Sequence, residues 1–411
     1  MNAADRIAPQ PWMTEPATRA VLAALAAGGA ATRFVGGCVR DALLGRPIAD
    51  IDIATPAPPE RVIALLEAAR IKAVPTGIAH GTVTAVIAPR HFEITTLRHD
   101  VETFGRHARV AFTEDWSADA ARRDFTMNAL FLDAGGAIFD PVGGLDDLRA
   151  GRVRFVGDPA TRIREDVLRI LRFYRFHAHY GRAEADRAAR DACMSLAHLL
   201  PTLSGERVAA ETMKLLAAPD PVPTLSLMIE DGVLASLLPE AASLGRLAAL
   251  IPLEPEPDPL RRLAALLPAA APAATAVATR LRLSNAQRDR LVGLAAPPWP
   301  VELAGDERAQ RRALHRLGLS AYRDLVLLAA AESGDGDRAG ALLRGAPALM
   351  PPSFPLRGRD AERLGIPTGP QIGRLLAAVL AWWEEGDYRA DRAACLDRLA
   401  ALARAEGVLP P

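Results

Sequence analysis

An α+β head followed by an all-helical remainder is the fold class that this 411-residue sequence predicts. Three observations carry the expectation. Residues 1–150 interleave short β-like runs with helical stretches, strand patterns fade after about Asp158, and Ala and Leu dominate the second half while aromatics stay at 5%. Such a composition favours helices. The length suits two to four domains of roughly 100–200 residues each. We read an α+β head over 1–155 and a helical remainder over 156–411.

Within the head, "RFVGG", "DIDIA", "GTVTAVIA", "HFEITTLR" and "NALFLDA" read as strands, with a helix over Pro59 to Arg70. Beyond Asp158, amphipathic helices are broken by Pro or Gly near residues 201–205, 219–223, 251–259, 296–300, 346–355 and 365–373. The Pro- and Ala-rich stretch 251–276 reads as helix and turn rather than linker, because "DPLRRLAALL" and "VATRLRLS" keep helical apolar spacing. With 49 basic and 49 acidic residues, no global field announces a nucleic-acid partner, so any such partner is held by local patches. Cys38, Cys193 and Cys395 have neither paired nor metal-type spacing, which suits a reducing cytoplasm. The N-terminus lacks the basic start and apolar run of a signal peptide, and the longest uncharged run, Leu263 to Thr279, falls short of the roughly 20 residues a bilayer requires. A soluble, cytoplasmic protein is expected.

The chemistry concentrates in "RFVGGCVRDALLGRPIADIDIA". Side chains alternate along a strand, so Asp50 and Asp52 leave one face while Ile51 and Ile53 enter the core. Adjacent like charges are unfavourable unless a cation offsets them, and hard oxygen ligands suit Mg²⁺, which takes one or two carboxylates plus phosphate oxygens. Two solvated acids on an edge strand would show the same spacing. Gly36 and Gly37 follow an apolar strand and open a helix, where backbone N–H groups can approach a phosphate; Arg40 adds a charged fork one turn on. A simple strand-to-helix turn also accounts for the glycines. Glu93 alternates with Phe92 and Ile94, which makes it either a third carboxylate for a two-metal displacement at phosphorus or a solvated outer-face side chain.

Together with "TLRHDVETFGRHARV", "DAARRDFTMNALFLD", "DPVGGLDDL", "VGDPATRIREDVLRILRFYRF" and "GERVAAETMKLL", these residues resemble the class II tRNA nucleotidyltransferases, the CCA-adding enzymes, and their relatives the bacterial poly(A) polymerases, over about residues 33–215. The resemblance implies a polymerase-β-type palm over 1–155 followed by a helical neck over 156–220, a helical body over 221–300 and a helical tail over 301–411. It implies that Asp50 and Asp52 bind Mg²⁺, that Gly37, Arg40 and Arg123 contact the nucleotide with Asp124 beside them, and that Asp166, Arg169, Arg172 and Arg175 form a nucleotide-reading helix. On a helix beginning near Arg164, Asp166 and Arg169 would be neighbours on one face. Cytosine and adenine both present an amine donor beside a ring-nitrogen acceptor, which an Asp and an Arg match; uracil and guanine reverse that order and would leave polar groups unpaired. An ordinary i,i+3 ion pair is the competing reading. Leu168, Leu171, Phe173, Tyr174 and Phe176 read as core.

The implied activity is addition of CMP, CMP and AMP to the tRNA 3′ end from CTP and ATP, with no protein partner. A-adding or CC-adding enzymes and poly(A) polymerases share the chemistry, and a non-catalytic RNA-binding module is the alternative from another class. Eight Arg against three acids between 151 and 182 fit a triphosphate and an RNA end whose capture weakens with salt. In the tail, Arg308, Arg311, Arg312 and Arg316 at helical spacing read as a solvated face or an RNA contact. Gly369 and Gly373 flank a helix start that reads either as a phosphate site or as a plain junction. Trp382 and Trp383 read as packing.

Overall fold

Alternation between buried and outward side chains builds the head of this computed structural model, which describes residues 6–104, 107–182, 184–241 and 243–410, with backbone only for 100–104 and 107–109. The strands are β1 (Arg33–Val35), β2 (Ile51–Thr55), β3 (Lys72–Gly77), β4 (Thr82–Ile87), β5 (Arg90–Thr96), β6 (Arg98–Phe104), β7 (His107–Phe112), β8 (Phe131–Leu132) and β9 (Ile138–Phe139). Seven of them form one sheet in the order β3-β4-β5-β2-β1-β8-β9, and β6 and β7 form a separate antiparallel ribbon. Only β2 and β5 run parallel, and they lie side by side at the centre. The five strand runs expected from sequence correspond to β1, β2, β4, β5 and β8; β3, the ribbon and β9 were not foreseen. The Pro59–Ala68 helix buries Val62, Leu65 and Leu66 and lies on β3, β4 and β5.

No strand occurs beyond β9 among the described residues. The stretch 251–276 holds the Pro259–Leu266 helix and the start of the Ala271–Arg280 helix, not a linker. No helix among the described residues is long and apolar enough to cross a membrane. The three cysteines are free and buried.

The chain divides into two compact units, Met1–Ala241 with Arg280–Leu283, and Ala242–Thr279 with Ser284–Pro411. Head and neck therefore share one unit, and the segment read as body is divided between the two. An aromatic seam joins head to neck: Phe125 packs on Phe155 (centroids 4.9 Å apart) and on Phe176 (5.0 Å), and Phe155 stacks on Phe173 (5.9 Å). All four rings are buried, a dry contact that fixes the Leu168–Tyr180 helix relative to the sheet.

In the second unit, the tail arginines meet partners within the fold. Arg308 donates to the Glu385 carbonyl, Arg311 pairs with Asp387 at 2.5 Å and Arg316 with Glu384 at 2.5 Å, and Arg312 approaches the Glu384 carbonyl at 3.5 Å. They are gathered at the C-terminal end of the Pro370–Glu385 helix, where cations complement the partial negative charge of unpaired carbonyls. Trp383 is buried, with Nε1 donating to the Ala390 carbonyl. Gly369 caps the start of that same helix.

Candidate active site

Central placement of β2 decides where the acids go. Ile51 and Ile53 are buried, Asp52 between them is half-buried, and Asp50 stands exposed just before the strand. On parallel β5, Phe92 and Ile94 are buried and Glu93 is exposed, with Asp52 and Glu93 in direct register. The three carboxylates therefore leave the sheet on one face. None has a hydrogen-bond or ion-pair partner among the described side chains, and the crowding shows in Asp52. Burial first, then Glu93 and Asp50, against the opposing Arg123, push its carboxyl up to about 6.

A site short of positive charge is what these groups make, and the donor set matches a hard divalent cation. No three acidic, His or Cys side chains converge into a closed ligand shell among the described residues. Two carboxylates with open positions suit Mg²⁺, which keeps waters and phosphate oxygens in its remaining positions. The register places Glu93 beside the pair without making it part of such a shell.

The glycine turn lies against the same acids. Gly36 has φ 74° and ψ −124°, a conformation open to glycine and strained for other residues. A Cβ there would sit 3.9 Å from Asp52 Oδ2 and 3.6 Å from Arg123 Nη1. Carboxylate and guanidinium thus both lie beside the turn. We expect Gly36→Ala to cost about 1–3 kcal/mol of stability and to lower kcat/KM for nucleotide incorporation at least roughly ten-fold through misplacement; an unchanged melting temperature and rate would refute this reading of the turn. Cys38, just beyond, donates from Sγ to the Val35 carbonyl at 3.3 Å, and burial pushes its thiol up to about 12, so it is inert filler.

Arg123 and Asp124 are neighbours in sequence that turn to different partners. Arg123 gives Nε and Nη2 to Asp119 Oδ2, at 3.2 and 2.8 Å, which leaves Nη1 toward Gly36. Asp119, buried in the Trp116–Ala121 helix, also takes Arg122 Nε at 2.9 Å and the Arg98 N–H at 3.2 Å. Burial alone would raise its pKa, but Arg123 and Arg122 hold it below the usual range. The sequence reading missed Asp119, although its spacing of four from Arg123 is a helical-pair signal. Asp119→Asn weakens that grip, and we expect KM for CTP to rise roughly ten-fold, the worth of a charge-assisted hydrogen bond, with little change in kcat.

Asp124 turns away, toward the neck. It accepts from Arg172 Nε at 2.8 Å, Asn128 Nδ2 at 3.0 Å and the Phe125 N–H at 2.8 Å. Burial would raise its pKa, yet Arg172 and these donors bring it down to about 2. Arg40 is equally engaged. Its Nε and Nη2 pair with Asp41 at 3.0 and 2.8 Å, Nη1 donates to Asn128 at 2.7 Å, and Tyr180 lies 4.2 Å away across its ring face. Three of the five N–H donors of Arg40 are used in this way.

The neck corrects one expectation. No single helix runs from Arg164: the Pro159–Glu165 helix stops, Asp166 is extended at φ −152° and ψ 105°, and the next helix is Leu168–Tyr180. Asp166 and Arg169 therefore do not share a helical face, and they do not pair with each other. The Asp166 carboxylate caps the second helix through the Leu168 N–H at 3.2 Å and takes Arg207 Nη2 at 3.0 and 2.8 Å. Arg169 Nη1 donates to the Arg162 carbonyl at 2.9 Å and pairs with Glu165. Arg175 meets Glu211 at 2.7 Å. Leu168, Leu171, Phe173, Tyr174 and Phe176 are core, as their pattern suggested.

Comparison with known proteins agrees with this arrangement. Residues 32–154 match the Poly A polymerase head domain family, and residues 186–244 match a family described as the probable RNA and SrmB-binding site of polymerase A. The mitochondrial CCA tRNA nucleotidyltransferase 1 of Mus musculus is 33% identical over 380 residues, covering 88% of this chain and 84% of that protein. Its Homo sapiens counterpart is 34% identical with the same coverage. The crystal structure of Bacillus stearothermophilus CCA-adding enzyme in complex with CTP superimposes with a TM-score of 0.77 at 29% identity, covering 97% of this chain and 99% of that one. With a palm-type sheet, outward acids beside a glycine turn and relatives matched along most of its length, the chain belongs to the CCA-adding tRNA nucleotidyltransferase family.

Proposed function

We propose that this chain adds CMP, CMP and AMP to the 3′ end of tRNA without a nucleic-acid template, using CTP and ATP and releasing pyrophosphate. The observation that carries the reading is the unpartnered carboxylate pair, Asp50 and Asp52, set against the Gly36 turn and Arg123 Nη1. In the reaction the tRNA 3′-oxygen forms a bond to the α-phosphorus, the bond from that phosphorus to the bridging oxygen breaks, and pyrophosphate departs with the electron pair. Asp50 and Asp52 would hold Mg²⁺, which when bound neutralises phosphoryl charge and acidifies the attacking hydroxyl; Glu93 adds to the negative field from β5.

Gly36 and Gly37 let the triphosphate approach the backbone, and Arg123 meets it with the donor that Asp119 leaves free. Arg40, Asp124, Arg172 and Arg175 join the palm to the neck helix beside it. Asp166 offers an acceptor and Arg169 donors to the pairing edge of cytosine or adenine, with Arg207 and Glu165 as their resting partners. We assign the head to 1–155, the neck to 156–220, the body to 221–300 and the tail, as a tRNA-binding segment, to 301–411. A reducing compartment such as the cytoplasm suits the three free thiols.

The test offers tRNA transcripts ending at the discriminator base, at C or at CC, with each nucleotide separately. C is expected on the first two and A on the third, with Mg²⁺ required. Use of UTP or GTP at rates comparable to CTP would sink the base-reading assignment. Binding of tRNA with no incorporation of any nucleotide would leave a binding module instead.

A further inference from the structure

A cavity of about 180 Å³ lies at the far end of the neck helix from Asp166, lined by Arg175, Phe176, His179, Tyr180, Lys214 and Ala217. Its volume is below the roughly 300 Å³ at which sites for drug-sized ligands begin, which suits a phosphate or pyrophosphate group rather than a nucleoside. The aromatic faces are already taken. Arg40 and Arg46 lie 4.2 and 4.4 Å from the Tyr180 ring centroid, and Arg175 lies 4.4 Å from that of Phe176. What the cavity has to offer is charge.

Lys214 is exposed and has no ion-pair partner among the described residues, and its backbone carbonyl is met by His179 Nε2 at 2.7 Å. Arg175 meets Glu211 through Nε at 2.7 Å. Arg46 donates to the His179 carbonyl at 2.8 Å from behind. Two cations, Arg175 and Lys214, line the cavity, and Arg40 and Arg46 lie over the ring of Tyr180, which also lines it; Asp41 and Glu211 are the carboxylates paired with Arg40 and Arg175. His179 feels the excess: burial lowers its pKa first, the Lys214 carbonyl opposes, and Arg175, Arg46 and Arg40 push it down further. A bound anion relieves that repulsion.

We propose that this cavity binds a phosphoryl anion, with a backbone phosphate of the RNA acceptor strand as its occupant. The proposal rests on the tRNA reading above, and Lys214 and His179 are the side chains that it adds to that reading. Pyrophosphate shares the chemistry, and the experiment separates the two sources. Steady-state kinetics of full-length Lys214→Gln are compared with Lys214→Arg and the parent chain, with tRNA, CTP and added pyrophosphate each varied. An RNA phosphate predicts a KM for tRNA raised roughly five-fold in Lys214→Gln, the upper worth of one exposed ion pair, with kcat and KM for CTP unchanged, recovery in Lys214→Arg, and a salt dependence shallower by about one charge. Weaker pyrophosphate inhibition with an unchanged KM for tRNA assigns the cavity to pyrophosphate. In parallel, histidine-labelled protein without nucleotide is titrated with sodium pyrophosphate. The His179 ring resonances are expected to move in the parent chain and to stay fixed in Lys214→Gln. Unaltered kinetics together with a static His179 signal overturn the proposal. Failure of the parent chain to incorporate CMP would instead count against the transferase reading, leaving the titration to judge the cavity.

Discussion

Asp52→Asn abolishes nucleotide incorporation and, in metal-free buffer at neutral pH, makes the protein more stable than its parent. The first effect follows from removing one of the two carboxylates proposed to hold the cation; the loss in kcat is expected at about 10³-fold or more, comparable to deleting a main electrostatic stabiliser of a transition state. The second follows from the raised pKa of Asp52, about 6, set by burial and by Glu93. A carboxyl whose folded pKa exceeds its unfolded value of about 3.9 binds more protons folded than unfolded. Its ionisation therefore subtracts stability as pH rises from about 4 through 6. At neutral pH the deficit is of order 2 kcal/mol, since each tenfold difference in proton affinity between the folded and unfolded chain corresponds to about 1.4 kcal/mol. Thermal melts at pH 4.5 and 7.5, with and without Mg²⁺, check it. The variant's advantage should grow with pH, and Mg²⁺ should stabilise the parent alone. A variant that retains activity, or is less stable at both pH values, contradicts the site as drawn.

Asp124→Ala is expected to be the most damaging change outside the metal pair. It strands Arg172 between palm and neck, where the Asp124 and Arg172 side chains are 12% and 31% exposed. Loss of one partner of a fully buried pair costs about 3–5 kcal/mol; partial exposure of Arg172 lowers this to roughly 2–4 kcal/mol, a fall of about 5–15 °C in melting temperature. Incorporation should fall with it, because Arg172 and the reading helix lose their anchor to the palm. The sign with pH is opposite to that of Asp52. With its pKa lowered to about 2, Asp124 contributes stability that is fully present above about pH 4 and is lost as pH falls through 2. A melting temperature within about 2 °C of the parent would show that the pair contributes little.

The legible parts of the fold were those written as periodicity. Ile51, Asp52 and Ile53, and likewise Phe92, Glu93 and Ile94, alternate because each strand has one face in the core, so both their burial and the outward direction of the acids could be read directly. β3 escaped because "KAVPTG" carries a proline and no alternation, and its burial is irregular. β9 has two residues and no pattern to detect.

The break at Asp166 was illegible for another reason. "TRIREDVLRIL" has neither Gly nor Pro and reads as continuous helix; the interruption goes with a carboxylate that caps the second helix and meets Arg207, 41 residues further on. Partners across such distances leave no local trace. In the same way, the spacing of Arg308, Arg311, Arg312 and Arg316 announced a face but not that its counterpart is a helix end near Glu384. Asp119 is the case where the signal existed: one buried acid four positions before an arginine already chosen as important.

Asp166 occupies a joint between two helices instead of a place along one cylinder: its N–H still meets the Arg162 carbonyl at 3.4 Å, its carbonyl takes the Arg169 N–H at 3.0 Å, and its extended backbone sets the direction of the side chain. On the reading proposed for Asp166, a change at Arg207 or at the capping bond to Leu168 retunes which bases are admitted and leaves the sheet of the head untouched. Divergent substrate choice within a constant catalytic frame is the kind of history such a swivel permits.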